Sequence, residues 1–161
     1  MGLKQLPLAL RNLFFVLLQP GIVAGLAPYL IAKERFKEAF TNPLLLQHYI
    51  GLPIFLLGTY IMLHCVVRFA VDGFGTLSPA DPTQRLVTSG LYRFSRNPMY
   101  VGVMLMLLGE VVFTQSGSLL FYSAIIFISF NLFIAYREEP RLRRDFGHDY
   151  ETYCKTVRRW V

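Results

Sequence analysis

Two stretches of the chain, Asn12 to Ala32 and Pro43 to Val67, carry no formal charge, and each exceeds the roughly 20 apolar residues that a helix needs to cross a bilayer. A third apolar run, Met99 to Tyr136, is interrupted by a single acid, Glu110. It is too long for one crossing and fits two, joined at the turn-forming Gln115-Ser116-Gly117-Ser118. The pattern predicts an all-α integral membrane protein of about four transmembrane helices, at residues 12–32, 43–67, 98–114 and 117–136, the last two a tight hairpin. Pro20, Gly21 and Gly25 should kink or loosen the first helix, and Gly51, Pro53 and Gly58 the second. At about 1.5 Å per residue the third is short, so it should tilt little or end inside the membrane.

The polar segments complete one membrane domain over residues 1–161. Residues 68–97 form the longest loop, rich in turn formers at Gly73, Gly75, Pro79 and Pro82. In residues 137–161, Leu142, Phe146, Tyr150, Tyr153 and Val157 recur three or four apart, the stripe of an amphipathic helix. Gly147 should weaken its middle and leave two short helices, and Trp160 beside Arg158 and Arg159 suits an interfacial anchor.

Composition and charge fix the class and the orientation. With 54% hydrophobic residues the chain is too apolar for a soluble domain of this size. Lys4 and Arg11 precede the first apolar stretch as in a signal peptide, but no small-residue cleavage site follows, so the stretch should remain as a span. The net charge of +6 lies mainly in the N-terminus, loop 68–97 and the C-terminal segment, while Lys33, Arg35 and Lys37 are accompanied by Glu34 and Glu38. The positive-inside rule therefore puts both termini and loop 68–97 in the cytoplasm, facing anionic membrane lipids. Nothing resembles a nucleic-acid module. Cys65 and Cys154 lie in segments not expected to meet, and His48, His64 and His148 are scattered, which argues against a disulfide or a metal site. A lone GxG at Gly73 and Gly75, with no strand before it, excludes a Rossmann fold.

Candidate chemistry concentrates where the polar loop meets the third helix. Gly90, Tyr92, Arg93, Arg96, Asn97, Pro98 and Tyr100 combine a turn, cationic donors, amides and aromatic faces, the equipment of an anionic or nucleotide-like ligand site. Glu138 and Glu139 follow the fourth helix on a basic face. They either receive a ligand's ammonium or hydroxyls or pair along their helix with Arg137, Arg141 or Arg143. Glu110 is expected near the interface opposite the cytoplasm.

The segments LVTSGLYRFSRNPMYVG and EEPRLRRDFGHDYETYCKTVRRW, separated by the hairpin, resemble the isoprenylcysteine carboxyl methyltransferase family of phospholipid-methyltransferase-like membrane enzymes. The family's order is a G-x-Y turn, R-[HN]-P-x-Y-x-G, a hairpin, E-E-x-x-L and F-G-x-x-Y-x-x-Y. The resemblance implies S-adenosylmethionine as methyl donor and a lipophilic or lipid-modified acceptor. It also implies a cytoplasmic site in which Gln84, Arg85, Leu86, Val87, Tyr92, Asn97, Pro98, Met99 and Tyr100 line the cofactor, with Glu138, and secondarily Glu139, taking its polar groups. Asn97 stands where members acting on prenylated cysteine carry His, and Ile134 where the eukaryotic enzymes carry a substrate-binding Arg. Arg93, Arg96 or Arg137 would then position the acceptor. Asn97 cannot titrate, which favours an acceptor such as a carboxylate that needs no base. The cofactor should enter beneath the loop and C-terminal helix, and the acceptor sideways between spans. The alternatives are a phospholipid amine N-methyltransferase, a small-thiol S-methyltransferase, or a non-catalytic scaffold or transport subunit.

Overall fold

The computed structural model describes residues 20–72 and 85–161. Positions 12–19 of the first expected span, the turn residues Gly73, Gly75, Pro79 and Pro82, and Gln84 lie outside them. Among the described residues the elements are helical throughout: a π turn Ile22–Leu26, α1 (Ala27–Ile31), α2 (Lys33–Thr41), α3 (Leu46–Val71), a 3-10 turn Gly90–Arg93, α4 (Pro98–Thr114), α5 (Gly117–Phe133), a second π turn Ile134–Glu138, and α6 (Glu139–Thr156).

The first apolar helix is broken where Pro20, Gly21 and Gly25 predict it. Ala24 leaves helical geometry, at φ −117° and ψ 27°. In a bilayer the freed backbone groups need partners, and the Tyr122 hydroxyl of α5 donates to Val23 O at 2.9 Å.

The second helix corrects the sequence reading twice. It runs past Val67 to Val71, and it continues uninterrupted through Gly51, Pro53 and Gly58. The glycines serve packing instead. Gly51 faces Gly109, and Gly58 faces Gly102, across antiparallel α3 and α4. A Cβ on Gly58 would come within 2.5 Å of Gly102 O, and one on Gly109 within 2.5 Å of Phe55 N. Small residues thus bring the backbones together, the usual solution where lipid tails compete with side chains for apolar contact. Met62, Val66, Val103, Met106 and Leu107 fill the rest of this seam with Ala24.

The hairpin turns where expected. Gln115 takes the left-handed conformation, φ 51°, and the Ser116 side chain caps α5 by accepting from Leu119 N. The fourth helix does not stop at Tyr136, however. It passes through the second π turn into α6, so residues Gly117–Thr156 form one 40-residue helical run. Its break falls later, at Gly147 with φ +48°, where two helices were expected to meet.

Leu46–Phe69 and the apolar part of the Gly117–Thr156 run are long and apolar enough to cross a membrane, while Pro98–Thr114 and Ile22–Ile31 are shorter apolar helices. Their outer faces expose Leu52, Leu56, Leu63, Phe121, Ile125 and Ile128. An apolar belt of this kind is suited to lipid and untenable in water.

Candidate active site

The site forms where α4 begins, because the Arg96-Asn97-Pro98 break stops the loop and starts the helix. Pro98 supplies the fixed φ of a first helical residue, and Asn97 stands outside the helix at φ −130°. Just before it the 3-10 turn swings Tyr92 inward. Gly90 makes this possible at φ +59°, and a Cβ there would lie 2.7 Å from His64 Nε2 of α3. Ser89 donates to Asp72, which Arg68 also meets at 3.4 Å, tying the turn to the end of α3.

The C-terminal segment closes over this break. Arg96 N donates to Arg158 O at 2.8 Å, and the Asn97 and Ser95 side chains donate to Arg159 O at 3.0 and 3.2 Å. The Tyr153 hydroxyl donates to Tyr92 O at 2.6 Å. Trp160 packs tilted against Phe127 and donates to Asn131 Oδ1 at 3.2 Å. The last residues therefore form a strap over the protein.

The paired acids part company. Glu139 is buried and receives Arg159 in a two-pronged contact, Nε to Oε1 at 2.9 Å and Nη2 to Oε2 at 2.8 Å, with Arg96 Nη1 3.3 Å from Oε1. Glu138 accepts a 2.8 Å hydrogen bond from the Tyr100 hydroxyl. The same-helix pairing with Arg137 or Arg143 thus gives way to partners on α4 and the tail, and Arg141 acts on Glu138 through its charge, without a hydrogen bond. Helical neighbours were the local option, and tertiary contact supplied a two-pronged one.

Between these elements lies a narrow cleft that opens to the outside. Of the residues singled out from sequence, Leu86, Val87, Tyr92, Arg96, Asn97, Met99, Tyr100 and Glu138 line it. Arg85, Pro98 and Glu139 do not, and neither do Arg93 and Arg137, which are exposed. Ile134 is fully buried. Sequence reasoning missed Phe69, Arg141, Leu142, Tyr150 and Tyr153 as wall residues. Phe69 was assigned to a loop, Arg141 was read as a same-helix partner for the paired acids, and Leu142, Tyr150 and Tyr153 as part of an amphipathic stripe. Arg141 had a signal: it sits three positions after Glu138, on the same helical face.

The wall is electrostatically unbalanced. Burial pushes the Glu138 carboxyl above its ordinary value, against the Tyr100 hydrogen bond and the Arg141 charge that lower it. Burial likewise raises the Tyr92 and Tyr150 hydroxyls and takes Tyr153 up to about 12, against the lowering pull of Arg96. These hydroxyls are therefore donors, not bases. Tyr92 stacks on Phe69 at 5.5 Å and its hydroxyl faces the Cys65 thiol. Among the described residues, Tyr92 Oη, Arg96 Nε and Arg141 Nε are buried without a hydrogen bond, although Arg141 has a long 3.9 Å ion pair with Asp145. Buried donors in want of acceptors beside a shielded carboxylate fit a ligand that carries both an anionic group and hydrogen-bond donors.

Residues 46–149 match the model of a family described as phospholipid methyltransferase. Two proteins, from Oryza sativa subsp. indica and subsp. japonica, are named "Probable protein-S-isoprenylcysteine O-methyltransferase". Each is 28% identical over 130 residues, covering 77% of this chain and 68% of the relative. No solved structure matches the chain.

Proposed function

The chain belongs to the phospholipid methyltransferase family, and from that premise we propose that it transfers a methyl group from S-adenosylmethionine to the carboxylate of a lipophilic acceptor, as in prenylcysteine carboxyl methylation. The observation that carries this reading is the cleft wall: Glu138 held by Tyr100, facing buried guanidinium donors that lack acceptors. The donor's sulfonium supplies a methyl group already activated for displacement, so the protein's task is to position and to exclude water.

In this reading Glu138 accepts hydrogen bonds from the donor's ribose hydroxyls or amino group, and Tyr100 fixes its rotamer. The Nε groups of Arg141 and Arg96, which lack hydrogen bonds within the protein, meet a carboxylate, and Leu86, Val87, Met99 and Leu142 cover apolar surface. Arg85, Gln84, Pro98 and Glu139 support the site from outside the wall or beyond the described residues. Arg96 is the one acceptor-positioning arginine of the three expected that reaches the cleft. A carboxylate acceptor needs no general base. An amine or a thiol does, and the wall of described residues carries no histidine.

We place the domain across the membrane in about four spans, both termini and the cleft on the cytoplasmic side, following the basic bias of the sequence. The test is calorimetric binding of S-adenosylmethionine to detergent-purified protein, followed by methyl transfer to a prenylcysteine analogue. Binding lost in Glu138→Ala supports the reading. A well-folded wild type that binds nothing overturns it.

A further inference from the structure

At the end of α4 remote from the cleft, an open groove lies between α2, α3 and α4. Its walls are Phe36 and Phe40 of α2, Leu52 and Phe55 of α3, and Phe113 of α4, and it is floored where α3 and α4 touch at Gly51 and Gly109. At its base is Glu110, 8% exposed, with Oε2 buried and without a hydrogen bond. Thirteen positions separate Glu110 from Asn97, about 20 Å of helix rise. The groove is thus a separate place from the cleft.

Among the described residues, nothing hydrogen-bonds Oε2 of this carboxyl. The Thr114 hydroxyl donates to Glu110's backbone carbonyl at 2.8 Å, leaving the side chain alone. Tyr122 is within electrostatic reach, but its hydroxyl donates to Val23 O. Arg35 of α2 pairs with Glu38 at 3.4 Å. No ion pair involving Glu110 occurs among the described residues. A lone carboxyl in an aromatic, hydrocarbon-lined groove is complementary to a cation with an apolar tail, since the ring faces attract an ammonium head as the carboxylate does.

We propose that this groove binds the head of a lipophilic amine, with its ammonium group on Glu110 and its tail along Phe55 and Leu52 into the lipid. This is a binding site on the side of the molecule away from methyl transfer, and it stands whether or not the cleft holds S-adenosylmethionine.

The test uses the full chain in nanodiscs of uncharged lipid and three probes of equal chain length, dodecylamine, dodecanol and dodecanoate, read by native mass spectrometry. Dodecylamine should be retained and dodecanoate rejected. Glu110→Gln should weaken dodecylamine at least tenfold, and Leu52→Trp, a change at an exposed position that fills the groove, should block it with Glu110 intact. Thermal unfolding near that of wild type shows both variants folded. Equal retention of dodecanol and dodecylamine, or dodecylamine binding unchanged in either folded variant, overturns the proposal.

Discussion

The Tyr100 hydroxyl donates to Glu138 Oε2 at 2.8 Å, joining the first turn of α4 to the π turn after α5 across 38 residues of sequence. The same ring packs 4.7 Å from Phe130, so the hydroxyl has little freedom to leave. Removing it in Tyr100→Phe keeps the packing and deletes one hydrogen bond to a carboxyl that is ionised when ligand is bound, worth about 1.5–3 kcal/mol in that state. S-adenosylmethionine binding should weaken by about tenfold or more, and calorimetry on Tyr100→Phe and wild type in the same detergent measures it. Unchanged affinity would show that Glu138 is oriented without Tyr100.

The raised Glu138 value gives binding an acid limb. Burial favours the protonated carboxyl in the empty site, so Glu138 contributes stability that is fully present at low pH and is lost as pH rises through its raised value. A ligand that donates hydrogen bonds to the carboxylate selects the ionised form. Its affinity should therefore fall on acidification, beginning above the ordinary glutamate value of 4.5. Titration calorimetry across pH on wild type and Glu138→Gln checks this: the variant should bind weakly and without the acid limb.

The sequence showed the hairpin, the break at Pro20–Gly25 and the start of α4, because each depends on residues adjacent in the chain: Gln115 and Ser116 at the turn, Pro98 after Asn97. It also showed most of the cleft through the R-N-P-x-Y segment and Glu138. It misread Gly51 and Gly58 as breaks, since their role depends on Gly109 and Gly102 in another helix. Periodicity within one segment does not report such a partner. The Glu139–Arg159 contact was hidden for the same reason: twenty positions and the bend at Gly147 separate the two, and a same-helix arginine looked the nearer choice.

The glycine seam predicts a sharp contrast between positions. In Gly58→Ala the new methyl would meet the Gly102 carbonyl at 2.5 Å, and such overpacking costs about 1–3 kcal/mol. Among the described residues nothing lies within 4 Å of where a Gly25 Cβ would stand, so Gly25→Ala should leave stability unchanged or slightly raised. Thermal unfolding in one detergent compares the two. Equal midpoints would mean that α3 and α4 do not approach as closely as described.

Glu139 holds the strap. Its side chain and that of Arg96 are 10% and 14% exposed, and removing one partner of a buried pair costs about 3–5 kcal/mol. Arg159 is 38% exposed, and solvent screening there puts the loss in Glu139→Gln at or below the lower end of that range. Limited proteolysis should then cut the C-terminal segment faster than in wild type. Arg159→Lys, which keeps the charge and loses the two-pronged geometry, should fall between them.

The placement of the helices yields the last expectation. α3 has 26 residues, roughly 39 Å of rise, against a hydrocarbon core of about 30 Å, and its two ends reach different structures. Its first turn lies by α2 and Phe113, and its last by Tyr92 and the cleft. If α3 crosses the membrane, Lys37 of α2 and Lys155 of α6, both exposed, stand on opposite sides. In a background with Cys65 and Cys154 replaced by serine, a membrane-impermeant maleimide applied to sealed inside-out vesicles should label Lys155→Cys at once and Lys37→Cys only after detergent. Labelling of both from one side would put α2 and the cleft in the same compartment and remove the four-span arrangement. Labelling of Lys37→Cys alone would keep the spans and reverse the orientation, placing the cleft away from the cytoplasm.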